Sequence, residues 1–307
     1  MPPASPHQDQ IVLGVIHGAM AFFLLAIMSV CAKLLSANHH VLEIVFYRNL
    51  IPLIPVLVYA VVTRKTYLLK TTKKVAMLFR ALIGTTGIIF TFNAFKYLPL
   101  SDATTIFFTA TLLAPALSFF ILKEHVGPWR WAAIFGGFCG VILIAAPSGE
   151  AKLFGIVVAF AAAFIHAIVH LLLRHLKTES PFTVTFYFFL AGSVIPGLFM
   201  PFVAHMPGRE ELLLFAGLGV FGGVAQFYLT SAFNKAPVAL VAPLNYTGLI
   251  WATGFDMLFW NYVPGWTVFA GSAIIIGCNL IIIWREQRLK RLNPVVREAR
   301  DKSAAPT

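Results

Sequence analysis

The sequence predicts an all-α polytopic membrane protein whose ten transmembrane helices form two inverted five-helix repeats. Three observations carry that prediction. Apolar residues fill 59% of the 307 positions and mean hydropathy is +0.83, against roughly 45 to 50% apolar content in soluble domains. Apolar runs of about 20 residues, the length a helix needs to cross bilayer hydrocarbon, recur between Pro, Gly and charge clusters. The frame A-F-x-x-x-P occurs twice, in NAFKYLPL (93–100) and SAFNKAPV (231–238), each time between one apolar run and the next.

The first run, 12–35, follows MPPASPHQDQ, which has neither a basic n-region nor a small-residue cleavage site, so it reads as a retained span. Further spans follow at 41–62, 75–96, 102–122 and 129–146, then at 153–174, 182–204, 211–233, 238–259 and 265–284. After Trp284 the charged stretch REQRLKRLNPVVREARDKSAAPT is expected to be a solvated extension. The chain thus divides into a short N-terminus (1–11), a first repeat (12–147), a second repeat (152–285) and a basic tail (286–307).

A net charge of +11 invites a nucleic-acid reading, but its distribution assigns it to orientation in a membrane. With the N-terminus in the cytoplasm, seventeen Lys and Arg residues fall on that side. They are Arg64, Lys65, Lys70, Lys73, Lys74, Lys123, Arg130, Arg174, Lys177, Lys235 and the seven from Arg285 onward, whereas only Lys96, Lys152 and Arg209 fall opposite. The bias places both termini in the cytoplasm of a bacterial-type inner membrane, and leaves nucleic acid without support. Cys31, Cys139 and Cys278 each stand alone in an apolar run and read as small buried hydrophobes, with no metal site or disulfide framework.

The two halves align beyond the shared frame. LIGTTGIIFTFNAFKYLP (82–99) falls on VFGGVAQFYLTSAFNKAP (220–237), matching Gly84 to Gly222, Phe95 to Phe233 and Pro99 to Pro237. VFYRNL (45–50) falls on TFYFFL (185–190), Lys33 lies opposite Arg174, and Trp129 and Gly140 match Trp266 and Gly277. A period of five spans is odd, so the second copy enters the membrane from the opposite face. Each A-F-x-x-x-P then marks the corner between the third and fourth helices of its half, with proline favoured at the first turn of the new helix.

On FYRN (46–49), AFKYLPLSDATTI (94–106), ILKEHVGPWRW (121–131) and AFNKAPVALVAPL (232–244), the chain resembles the drug/metabolite transporter superfamily, in its EamA-type branch of ten-helix carriers, over about residues 12–284. The resemblance implies a central cavity lined by the first, third, fourth, sixth, eighth and ninth helices. The chain departs from the branch's L-G-E at the end of the fourth helix, with Leu122, Lys123 and Glu124 there and Asn261 at the matching position.

Polar groups within spans are costly against lipid, so they should face water, solute or one another. His166 and His170 stand one turn apart on the sixth helix, as a packed pair or as cavity groups, and His17 lies at similar depth on the first. No third ligand accompanies them, so neither metal nor cofactor is expected. Asn245, Gly248, Ala252 and Asp256 form a polar or small stripe on the ninth helix, flanked by Tyr246 and Trp251. Gln226 and Tyr228 on the eighth helix parallel Phe90 and Asn93 on the third. Arg48 and Lys33 either snorkel or, in the case of Arg48, point inward toward a carboxylate or phosphate, while Arg80 reads as an interfacial anchor.

The expected function is secondary transport of small organic metabolites by alternating access, with amino acids or similar zwitterionic or amphipathic solutes as cargo and export favoured. Import of a vitamin-like or nucleotide-like metabolite is the alternative. An intramembrane enzyme finds no G-x-S-G or HEXXH, an ATP-driven pump finds no P-loop, and a scaffold would move nothing. The partners implied are a small-molecule solute and the bilayer, and a monomer is expected.

Overall fold

The computed structural model describes residues 6–123, 127–145, 150–176, 178–236 and 238–303. The described residues are helical with short connections and no strand. In chain order the helices are α1 (Pro6–Leu35), α2 (Val41–Val62), α3 (Lys74–Tyr97), α4 (Leu100–Phe107), α5 (Thr109–Leu122), α6 (Pro128–Ala145), α7 (Glu150–His175), α8 (Pro181–Gly197), α9 (Met200–Val203), α10 (Arg209–Lys235), α11 (Val238–Val241), α12 (Thr247–Trp260) and α13 (Trp266–Ser303). Seven stretches are long and apolar enough to cross a membrane, and two shorter apolar helices, Trp131–Ala145 and Pro181–Gly197, add to them. The tenth crossing is the interrupted series from α11 to α12.

The inverted duplication shows in which helices pack together. Prominent pairs are α1 with α10, α3 with α7, α2 with α8 and α6 with α13. Exchanging the halves turns the first pair into the second and maps each of the others onto itself, as a twofold axis in the membrane plane requires. Small residues permit the close approaches. A Cβ on Gly14 would lie 2.6 Å from that of Ala236, and one on Gly155 would lie 2.8 Å from Leu98 Cγ. These two glycines correspond across the repeat, and each seats its helix against the corner residue of the other half.

The corners lie at opposite ends of the bundle. Gly14 of α1 meets Ala236, while Lys33, nineteen residues along the same helix, donates to the Leu98 carbonyl at 2.7 Å, which separates them by roughly 28 Å. The two ends are named below for the lysines that mark them, the Lys96 end and the Lys235 end.

Local chemistry sets the helix limits. Ser180 caps α8 by accepting from Phe182 N at 3.3 Å, with Pro181 at the first position. Glu211 accepts from Gly208 N at 2.8 Å at the start of α10. In both halves the fourth crossing stops on a left-handed residue, Lys123 at φ 52° and Asn261 at φ 48°, the same termination at equivalent positions although neither is glycine.

Some expectations are corrected. Pro99 is the N-cap of α4, with φ −55° and ψ 151°, and not its first turn. Span 102–122 is two helices broken at Phe108, and span 238–259 is broken by a 3-10 segment, Ala242–Tyr246. The segment after Trp284 continues α13 as helix to Ser303 instead of leaving it as an extension. Cys139 is exposed, facing away from the core, while Cys31 is buried. Glu124 and Pro237 lie outside the described residues.

Candidate functional site

The two interrupted crossings meet. Phe108, at the break between α4 and α5, stacks edge-on against Tyr246, at the end of the 3-10 segment, with centroids 5.0 Å apart. The same device opens both helices: Thr109 Oγ1 donates to Ile106 O at 2.7 Å, and its counterpart Thr247 Oγ1 donates to Leu244 O at 2.6 Å. Such side-chain bonds to the third residue back compete with the helical ladder. Phe108 lies about 12 Å along the crossing from Leu100, a depth at which irregular backbone persists only when protein or a cavity covers it.

Asn279 of α13 provides that cover. Its Nδ2 donates to Phe108 O at 3.2 Å and to Ile275 O at 3.0 Å, and its Oδ1 shares with Phe108 O, 2.7 Å from Thr111 Oγ1, the single proton of the Thr111 hydroxyl. The carbonyl freed by the break is therefore shared between two helices. Sequence reasoning passed over Asn279, although an amide inside the apolar run AGSAIIIGCNLIII is the signal that marks it.

At the Lys96 end the fourth and ninth crossings are bolted together. Asp256, fully buried, accepts from Leu100 N at 3.0 Å, Ser101 N at 2.8 Å and Ser101 Oγ at 2.7 Å. It thus caps the start of α4 from another helix, where the helix dipole favours an anion. Lys33 Nζ stands 3.9 Å from Asp256 and 4.8 Å above the Trp260 ring, so Lys33 turns inward instead of snorkelling. Asp102, also fully buried, pairs with Lys152 at 3.3 Å and accepts from the Tyr262 hydroxyl at 3.2 Å. Burial, reinforced by the Asp102 carboxylate, pushes the Tyr262 phenol up.

His39, in the turn between α1 and α2, completes this end. Its Nδ1 lies 2.9 Å from Glu43 and its Nε2 3.2 Å from Glu211. Burial lowers its pKa, but hydrogen bonds to Glu43 and Glu211 and their charges outweigh that and raise it above the usual 6.5. A raised folded pKa means that the protonated imidazolium stabilises the fold, fully at pH below 6.5, and that this contribution is lost as pH rises through the higher folded value. The excess thermal midpoint of wild type over His39→Gln is therefore expected to shrink as pH is raised above 6.5, as a pH series of melting curves would record. A constant difference would contradict the clamp.

Deeper in the bundle, Arg48 and Arg80 are 3% and 9% exposed. Arg80 is thus no interfacial anchor. Its Cζ lies 4.9 Å from the Phe188 ring centre and that of Arg48 5.2 Å from the same centre, and among the described residues neither has a carboxylate partner. A charged side chain at the centre of a membrane helix costs about 3 kcal/mol even on the mildest scale. His166 and His170 lie within electrostatic range of Arg80. His166 shares a 2.9 Å hydrogen bond with Thr91 and meets the Phe107 ring at 6.4 Å, so it ties α7 to α3 beside the break.

The remaining candidates are spread through the bundle. His17 Nδ1 is 2.8 Å from Ser231 Oγ and edge-on to Tyr228 at 5.1 Å, toward the Lys235 end. Trp251 is exposed and packs edge-on against Phe23 at 4.8 Å. Gln226 borders a cavity of about 700 Å³ among α2, α8 and α10, with Ile51, Pro52, Phe189 and Gly223. Asn245 lies half-buried in the 3-10 segment beside Tyr246, and Phe90 and Asn93 are half-buried on α3. The structure thus brings Tyr246 and Asn245 to the central break, with His166 close by. It leaves His17, Tyr228, Gln226 and Trp251 nearer the periphery.

Comparison with known proteins follows this architecture. The EamA-like transporter family matches residues 12–146 and again 153–284. The chain is 28% identical over 276 residues to a pseudopaline exporter of Pseudomonas aeruginosa, spanning 87% of this chain and 95% of the relative. It is 26% identical to an S-adenosylmethionine uptake transporter of Rickettsia bellii, spanning 88% and 94%. A riboflavin transporter of Rhizobium johnstonii is 30% identical over 172 residues, 55% of this chain and 57% of the relative. A crystal structure 19% identical in sequence superposes with a TM-score of 0.61, covering 90% of this chain and 98% of the other, and shares the fold.

Proposed function

We propose that this chain, which belongs to the EamA-like transporter family, carries small organic solutes such as amino acids across a bacterial-type inner membrane by alternating access. The observation that carries the proposal is the meeting of the two interrupted crossings at Phe108 and Tyr246. Discontinuous helices at matching places in inverted repeats are where carriers of this construction hold their cargo. Asn245, Tyr246 and His166 line that place, with His170 one turn further along α7, and Arg48 supplies its positive charge. Phe90, Asn93, His17, Gln226, Tyr228 and Trp251 belong to the path toward it.

Seventeen basic residues against three put the Lys96 end outside and both termini in the cytoplasm. Export is the favoured direction, in line with the pseudopaline exporter. Uptake of a vitamin-like or nucleotide-like metabolite is the second reading, and the uptake and riboflavin transporters among the relatives favour it.

The test is flux of labelled amino acids and vitamins in proteoliposomes of purified protein, with and without a pH gradient. Wild type is expected to move at least one solute. His166→Ala and Asn245→Ala are expected to slow that flux by about tenfold, because small displacements of positioning groups carry large rate effects. Trp131→Ala, in the aromatic cluster with Phe119 and Phe135, is expected to leave it near wild type. Equal flux through all three variants would remove the central break from the pathway.

A further inference from the structure

Arg48 and Arg80 present hydrogen-bond donors that nothing in the protein uses. Nε of Arg48 and both Nε and Nη1 of Arg80 are buried without an acceptor. We propose that the two guanidiniums form one receptor for a single oxyanion, the carboxylate or phosphate of the solute that passes through the bundle. The identity of the ligand as cargo rests on the carrier reading above, but the existence of the receptor does not.

The surroundings select an acceptor-only ligand. Asn49 Oδ1 accepts from Arg48 Nη1 at 2.9 Å, while Asn49 Nδ2 is committed to Val45 O at 2.7 Å. Both polar atoms of the Asn49 amide are thus engaged, and the unused donors of Arg48 and Arg80 beside Phe188 disfavour a cation and suit a group with several lone pairs. The two arginines also repel each other, since both stand against one ring. An anion between them converts that repulsion into two charge-assisted contacts. Arginine's planar fork matches carboxylate and phosphate geometry in a way that a lysine ammonium does not.

Gly84 lies beneath the Arg80 head, where any side-chain carbon would collide with Nη1. At its repeat partner Gly222 a Cβ would press on Met28 Sδ at 2.9 Å and would stand in ordinary contact, 3.5 Å, from Arg48 Nε. The Arg80 head thus takes its room from a glycine. His166, beside the central break, and His170 lie within electrostatic range of Arg80.

The experiment uses full-length protein in discs of phosphatidylcholine alone, at fixed sodium chloride, with acetate and inorganic phosphate as probes and acetamide as the uncharged control. A saturable rise of the thermal midpoint on the order of 3 °C is expected with at least one of the two anions and none with acetamide. Arg80→Gln is expected to abolish the response, and Arg80→Lys to weaken the apparent affinity at least about tenfold. Gly84→Ala keeps both charges and displaces the Arg80 head, with the Phe188 ring 3.2 Å from the added carbon yielding slightly, so it decides the matter if the glutamine variant does not fold, and it too is expected to lose the response. An equal rise with acetamide, or an undiminished response in Gly84→Ala, would overturn the receptor. A response that appears only when phosphatidylglycerol is added to the disc would assign the site to a lipid headgroup and overturn it as a solute site. Anion stabilisation without flux of any labelled solute would leave the receptor standing and defeat the carrier reading. Flux of solutes without an anionic group, with no anion stabilisation, would do the reverse.

Discussion

Asp256→Ala is expected to cost about 3 kcal/mol or more and to lower the unfolding midpoint by at least about 5 °C, because it strands a buried cation and uncaps a helix together. The carboxylate is fully buried and accepts three hydrogen bonds from Leu100 and Ser101, with Lys33 at 3.9 Å. Without it the first N–H groups of α4 lose that acceptor and Lys33 keeps the Leu98 carbonyl and the Trp260 ring but, among the described residues, no carboxylate within 4 Å. The loss also has a local signature. Leu98 is 2% exposed, so a Leu98→Cys thiol in a cysteine-free background should be inert to an impermeant maleimide and become reactive once Asp256 is alanine. Asp256→Asn retains the shape and one acceptor and should fall between. A midpoint within about 1 °C of wild type, together with an unreactive Leu98→Cys, would show that this contact fastens nothing.

Asn279→Leu is expected to have the largest effect on movement of solute. The substitution keeps the side chain's approximate volume but deprives Phe108 O of its interhelical donor and Thr111 of one acceptor. Losing such buried hydrogen bonds costs about 1 kcal/mol each. Phe108 O then keeps only Thr111 of its own helix, the nearest tie of the break to α13 is Thr105 with Ser272 at 2.9 Å, and Phe108 is held less firmly against Tyr246. Flux of whichever solute wild type moves should fall by about tenfold or more, with a midpoint loss smaller than that of Asp256→Ala. Wild-type flux in Asn279→Leu would mean that the geometry of the break does not govern transport.

The sequence made the duplication legible because backbone demands recur: the corners, the small residues and the helix lengths are set by local chemistry that repeats. The breaks at Phe108 and Tyr246 were less visible, since TATLLAPALSFF and ALVAPLNYTGLI read as continuous apolar runs. What opens them is a threonine hydroxyl bonded to a carbonyl, which hydropathy does not weigh. Arg80 was misread for a related reason. Its distance from the end of the third span fits a snorkelling side chain, and only the room above Gly84 sends it inward. The match of Gly84 with Gly222 was already in the alignment, but the two glycines make room for different neighbours, the Arg80 head at Gly84 and Met28 at Gly222. Asp256 was read as part of a stripe along one helix, whereas its partners lie about 155 residues away in sequence.

The two ends of the bundle are fastened unequally. At the places equivalent to Asp256, Asp102 and Lys152 the other half has Ser118, Leu240 and Ile11, so the symmetry of the backbone is not a symmetry of charge. Swapping the poses of the halves, which would turn the molecule to face the other way, exchanges ionic bolts for uncharged contacts. The two ends are therefore held by different chemistry, and because Asp102 and Asp256 are buried, dissolved salt reaches that difference only weakly.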